Sequence, residues 1–237
     1  MQTMQTGRSG VIAPQLILFP THGRRRTTYD VRAVSRPARA FTGDFYFTHK
    51  HDDRLWFALG DVSGKGINAA VVMAMIQEEL EQRITSCANK GCDPATTMTR
   101  LHEFLRPLLP ANKFASAVIG YASDDGHLVV ANAGHPSPIL VRRDGSTDLV
   151  DSTGPVVGIL PAAEWRSSVR LIDRGDTLVL YSDGVIEAES PDGDEFGMER
   201  LRLAARAADA DAIVSAVDAH AAGARGDDLT LVVVRRN

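Results

Sequence analysis

The sequence predicts an α+β domain in which helices layer on antiparallel sheets, and three observations carry that prediction. Ten short strand-like runs occur, at 29–36, 43–49, 54–61, 114–122, 127–133, 138–143, 147–151, 165–173, 176–182 and 228–235. Turn signals at Asp124-Asp125-Gly126 and Asp144-Gly145 each separate two such runs, the mark of hairpins and so of antiparallel pairing. Helical patterns come in pairs, two long ones in the middle of the chain and two shorter ones near its end. A doubly wound parallel sheet would instead alternate strand and helix throughout.

Residues 1–28 form an N-terminal extension, partly irregular, whose Arg24–Arg26 cluster reads as solvated surface. After the first three strand-like runs comes a helix in which Val72, Ile76, Leu80 and Ile84 recur every four residues. Glu78, Glu79, Glu81 and Gln82 fill its other face. A second helix runs from Pro94 towards Pro110 with a stripe of Leu101, Phe104, Leu105 and Leu108. Ala-rich helices at 197–208 and 210–222 precede the last strand. No internal repeat, low-complexity tract or linker interrupts 29–237, which is read as one domain.

The 237 residues are 44% hydrophobic and 24% charged, ordinary for a globular chain that buries a core. A formal charge of −4 is too balanced to point to nucleic acid or a membrane surface as partner. The longest apolar runs, near 69–76 and 229–234, fall far short of the roughly 20 residues a membrane span needs. No basic leader with a cleavage site is visible, so a cytoplasmic protein is expected. Its two cysteines, Cys87 and Cys92, lack a CxxC spacing and read as free thiols of a reducing compartment.

Residues 59–70, LGDVSGKGINAA, have the layout of a phosphate-binding loop but not its spacing. A P-loop needs four residues between its glycines and a hydroxyl after the lysine, whereas only three separate Gly60 from Gly64, and Gly66 follows Lys65. The dinucleotide fingerprint fails at Ala69, where a third glycine is required. What remains is Asp61 on a strand end, beside a loop of little side-chain bulk, which suits a metal-binding carboxylate.

Other aspartates stand similarly. Asp44 opens the second strand in TGDFYF, Asp183 ends an apolar run in LVLYSDGVIEA, and Asp227 and Asp228 open the last strand in RGDDLTLVVV. One such aspartate is an ordinary turn or cap residue; four that converge would need protons or cations to relieve their repulsion. Two divalent ions sharing a bridging carboxylate would neutralise four of them. An all-oxygen set selects magnesium or manganese. The histidines show no zinc spacing: His49 and His51 belong to an exposed turn, and His135 in NAGHP reads as a structural hydrogen-bonding histidine.

Together the segments GDFYF, ALGDVSGKGINAAVVM, VVANAGHPSPILV, LVLYSDGVIEA, FGMERL and DDLTLVVVRR resemble, in order, the metal-dependent protein phosphatases (PPM). The resemblance is to the bacterial branch that includes SpoIIE and RsbU, and it runs from about Tyr29 to Arg236. It implies a four-layer α-β-β-α sandwich of two antiparallel sheets and a site for two Mn²⁺ or Mg²⁺ ions. It further implies that Asp61 bridges the ions and the Val62 carbonyl completes the first shell. Asp44, Asp183 and Asp227 would hold the second ion or its waters, with Asp227 preferred to Asp228 because the motif places its ligand there. The branch often reads G-G-D-F-Y-D; here Thr42 and Phe47 replace its first and last residues, while Asp44 is kept.

The implied activity is hydrolysis of phosphoserine or phosphothreonine by a metal-activated water, with Asp61 and Asp183 acting through the bound ions. The implied substrate is a phosphorylated STAS-type anti-anti-sigma protein in partner-switching signalling. Some 28 residues precede the resemblance, so a separate sensory or activator protein is expected to exert control, with the helix after the loop (66–85) as regulatory element. Homodimerisation stays open. The alternative is a catalytically silent scaffold or sensor of the same fold. Other phosphatase chemistries lack their motifs: position six after Cys87 is Asp93 and after Cys92 is Met98, not arginine, and no D-x-D accompanies Asp183.

Overall fold

A strand whose two alternating sets of side chains are both apolar needs a partner on each face of its sheet. The strand Arg54–Val62 is of this kind: Leu55, Phe57 and Leu59 point one way, Trp56 and Ala58 the other, and all five are buried. The computed structural model, which describes residues 28–38, 41–64, 66–86, 92–223 and 226–237, supplies both partners.

The chain order begins β1 (Tyr29–Arg36), β2 (Asp44–His51), β3 (Arg54–Val62), α1 (Ile67–Ser86) and α2 (Pro94–Leu105). It continues with β4 (Ala115–Ser123), β5 (His127–Ala133), β6 (Ile139–Val141), β7 (Thr147–Leu149), β8 (Ser168–Leu171) and β9 (Thr177–Tyr181). It ends with α3 (Asp183–Ile186), α4 (Gly197–Ala205), α5 (Ala210–His220) and β10 (Leu229–Arg236). Two five-stranded sheets result, ordered β1-β10-β9-β6-β7 and β2-β3-β4-β5-β8, and every pairing is antiparallel.

Three apolar layers join these elements. Leu55, Phe57, Leu59, Val118, Leu128 and Val130 meet Leu178, Leu180, Val232 and Val234 between the sheets. On the outer face of the β3 sheet, Trp56, Ala58 and Ile119 pack against Ile76, Leu80 and Ile84 of α1 and Met98, Leu101 and Leu105 of α2. On the outer face of the other sheet, Val179, Tyr181, Leu231 and Val233 pack against Leu201 of α4 and Ile213, Val214 and Val217 of α5. The result is the four-layer α-β-β-α sandwich.

All ten expected strands are present, and both hairpin turns join antiparallel neighbours, β4 to β5 and β6 to β7. Differences lie at the edges. The run at 165–173 shortens to Ser168–Leu171 because Trp165 turns into the α2 layer, donating its Nε1–H to the Pro155 carbonyl at 2.7 Å. The second helix is capped by Asp93, whose carboxylate accepts from the Ala95 and Thr96 N–H groups, and stops at Leu105, leaving Leu108 exposed. The short helix α3 was not foreseen. Cys92 is disulfide-bonded, which corrects the free-thiol expectation; the chain's only other cysteine, Cys87, lies outside the described residues. A cysteine count cannot see that α1 and α2 pack against one another. The N-terminal extension, apart from Thr28, and Arg24–Arg26 also lie outside the described residues. Among the described residues no helix is long and apolar enough to cross a membrane.

Phe57 is fully buried between the sheets, so Phe57→Ala is expected to lower stability by about 3–5 kcal/mol through lost burial and a cavity. Urea denaturation of the two proteins measures it, as a lower midpoint with unchanged slope.

Candidate metal centre

At one end of the sandwich the inner rows of the two sheets change from apolar to polar. Asp44 stands directly opposite Asp61 on β2 and β3, and Asp61 directly opposite Ser116 on β4. By alternation Asp61 continues the inward row of Phe57 and Leu59, and Ser116 continues that of Val118. In the facing sheet, Ser182 and Thr230 extend the inward rows of Leu180 and Val232. Asp183 follows Ser182 at the start of α3, while Asp227 and Asp228 immediately precede β10.

These residues surround a cavity of about 80 Å³ lined by Ala38, Phe41, Gly43, Gly64 and the carboxylates of Asp44, Asp61, Asp183, Asp227 and Asp228. The four aspartates expected at the site are thus brought together from both sheets. Val62 does not line the cavity: its side chain enters the α1 layer, and its carbonyl lies against Gly43. A larger cleft of about 960 Å³ beside α2 holds His102, Glu103 and Arg106 and no residue of this set.

Two glycines permit the approach. A Cβ on Gly43 would stand 2.6 Å from Asp61 Oδ1, and one on Gly184 would stand 2.1 Å from the Asp228 carbonyl. Neither position can carry a side chain without moving a carboxylate-bearing segment.

Hydrogen bonds sort the carboxylates. Asp44 Oδ2 accepts from Thr230 Oγ1 at 2.6 Å, across the gap between sheets. Asp228 accepts from the Ala38 N–H at 2.8 Å and the Gly43 N–H at 3.3 Å, which ties down the wall of the cavity. Asp183 accepts from the Gly184 N–H at 2.8 Å and Asp227 from the Asp228 N–H at 2.9 Å. His135 sits beneath this layer, with Nδ1 2.8 Å from Ser116 Oγ and Nε2 3.2 Å from the Tyr181 carbonyl. It is buried and clasped by Asn132, as expected of a structural histidine, and burial lowers its pKa to about 3.

No basic side chain among the described residues lines the cavity. Burial pushes Asp61 up to about 8, and Asp44, Asp183, Asp227 and Asp228 add repulsion in the same direction. Burial likewise raises Asp44 to about 7, partly opposed by hydrogen bonds from Thr230 and Ser182. The donor set is hard oxygen throughout, and burial reinforced by neighbouring carboxylates holds protons on it, so its chemistry fits divalent cations of the magnesium or manganese kind. Among the described residues no three carboxylate, imidazole or thiol groups stand close enough to share an ion without moving.

Asp228, Thr230 and Ser116 carry roles that the sequence alone did not assign. The available signal was the period-two continuation of apolar rows into polar residues at one end of β3, β4, β9 and β10.

Two antiparallel five-stranded sheets sandwiched between helices form the architecture of PP2C phosphatase domains. The SiaA PP2C domain of Pseudomonas aeruginosa superposes with a TM-score of 0.76 at 20% identity, over 87% of this chain and 86% of that one. RsbX in complex with magnesium gives 0.69 at 16% identity, over 94% and 100%. The chain belongs to the SpoIIE family, described as Stage II sporulation protein E, whose profile matches residues 51–237. It is 29% identical over 181 residues to the phosphoserine phosphatase RsbU of Bacillus subtilis strain 168, covering 76% of this chain and 53% of RsbU. It spans about half or less of the length of the curated relatives it matches.

The raised carboxyls make the metal-free protein sensitive to base. Asp44 and Asp61 have folded values above the ordinary 3.8, so their contribution to stability is complete below about pH 4 and is lost as pH rises through about 7 to 8. In chelator, the melting temperature should fall between about pH 6 and 8.5, and Asp61→Asn should flatten that fall. Thermal denaturation across the range checks both.

Proposed function

We propose that this chain is a metal-dependent phosphoprotein phosphatase that hydrolyses phosphoserine or phosphothreonine. The observation that carries the reading is the convergence of four strand-end aspartates, from both sheets, on one small cavity whose described lining holds no basic side chain. Family membership and the name of RsbU, a phosphoserine phosphatase, support it.

Asp44, Asp61, Asp183 and Asp227 would hold two Mn²⁺ or Mg²⁺ ions, with Asp61 shared between them and the Val62 carbonyl as a further oxygen. Bound there, such ions would lower the pKa of a coordinated water and offset charge on the phosphoryl oxygens. The chain's own residues prepare the site. Asp44 and Asp61 would release the protons that burial, reinforced by their acidic neighbours, holds on them. Thr230 orients the Asp44 carboxylate, and Asp228 holds the Ala38 and Gly43 N–H groups at the cavity's edge.

The substrate we assign is a phosphorylated STAS-type anti-anti-sigma protein in partner-switching signalling. Control would fall to a separate partner acting on α1, which begins at Ile67 directly after the Asp61 loop and exposes Ile67 and Val71 beside it.

Phosphate release from a small aryl phosphate, with and without millimolar Mn²⁺, tests the activity. Turnover that needs Mn²⁺ and falls more than about 100-fold in Asp61→Asn and Asp183→Asn, with both variants folded, is the expected result. Near-normal turnover in either variant at saturating Mn²⁺ removes the assigned site. Absence of Mn²⁺ binding by calorimetry leaves the silent scaffold as the reading.

A further inference from the structure

Asp61 has two register neighbours in its own sheet, and each of them reaches across to the other sheet. On one side Asp44 accepts from Thr230 on β10. On the other, Ser116 meets His135, whose far nitrogen meets the Tyr181 carbonyl at the end of β9. A carbonyl only accepts, so Nε2 carries the imidazole proton and Nδ1 accepts from the Ser116 hydroxyl. The chain of bonds therefore has one direction, from Ser116 through the ring to Tyr181. Two residues beyond Tyr181 stands Asp183.

We infer that His135 is a positioning residue: the Ser116–His135–Tyr181 bridge sets the gap between the strand that carries Asp61 and the strand that delivers Asp183, and so sets the affinity for the ions they share. This rests on the metallophosphatase reading above. Several features make the bridge rigid. The ring is buried, so water does not replace its bonds. Asn132 holds the His135 backbone from both sides, accepting from its N–H at 2.9 Å and donating to its carbonyl at 3.1 Å. Ser182, between Tyr181 and Asp183, is itself fixed: its N–H donates to the Thr230 carbonyl at 2.9 Å and its hydroxyl accepts from the Thr230 N–H at 2.9 Å. A displacement of Tyr181 is thus passed to Asp183, not absorbed in a loop.

The first variant is His135→Phe, which keeps a ring of similar size and deletes both bonds. The second is Ser116→Ala, which opens the bridge at its half-buried end, with Ser116→Thr as the conservative control that keeps the hydroxyl. Calorimetric titration of each folded, full-length chain with MnCl₂ gives the dissociation constant without relying on turnover. The expected result is a Kd weakened about 10–100-fold in His135→Phe, weakened in the same direction in Ser116→Ala, and unchanged in Ser116→Thr. Should His135→Phe fail to fold, the contrast between Ser116→Ala and Ser116→Thr decides. A histidine that only supports the core would lower the melting temperature and leave the Kd of the folded protein unchanged, and that outcome overturns the inference. Weakening in Ser116→Ala with none in His135→Phe also overturns it, since Ser116 then acts alone. No Mn²⁺ binding by the wild-type chain removes the reading on which the inference rests, a result distinct from wild-type binding that the variants leave intact.

Discussion

Burial of the Asp44 and Asp61 carboxyls beside Asp183, Asp227 and Asp228, around about 80 Å³, is the constraint on which the rest of the molecule depends. Carboxylates removed from water and set beside like charges favour either protonation or separation of the segments that carry them. Separation is resisted because the segments end strands whose inner faces are locked by Phe57, Leu59, Leu180 and Val232. Protonation is therefore the response available to the metal-free chain, and it appears in the upward displacement of Asp61 and Asp44. The apolar layer between the sheets thus does more than stabilise the fold. It stores, as retained protons, a demand for positive charge in one place.

Much of this was legible in the sequence. The strands announced themselves as short runs with turn signals between several of them, and Asp44, Asp61, Asp183 and Asp227 through their position against strongly apolar runs. What the sequence withheld is pairing between residues far apart in the chain. Asp44 and Thr230 are 186 residues apart, and His135 and Tyr181 are 46 apart. Each polar residue, read alone, fits an ordinary turn or cap, and nothing local says which two strands will face each other. The free-thiol reading of Cys92 failed differently, since spacing alone does not report a cysteine's bonding state. Val62 shows the opposite limit: its motif position names a backbone oxygen, which no side-chain pattern reports.

The adjacent pair Asp227 and Asp228 shows how geometry separates roles that composition cannot. Asp228 accepts from the N–H groups of Ala38 and Gly43, so its carboxylate serves the segment leading into β2. That segment bears on Asp61 directly, because Gly43 has room for no atom between its Cα and Asp61 Oδ1. Asp228 thereby supports Asp61 through a loop, whereas Asp227 accepts from the N–H of its own neighbour. This division supports the assignment of Asp227, not Asp228, to the proposed ligand set, on grounds independent of the family motif. It also explains why the two stand side by side: one segment at the head of β10 supplies both a carboxylate for the cavity and the clamp that holds the opposite wall.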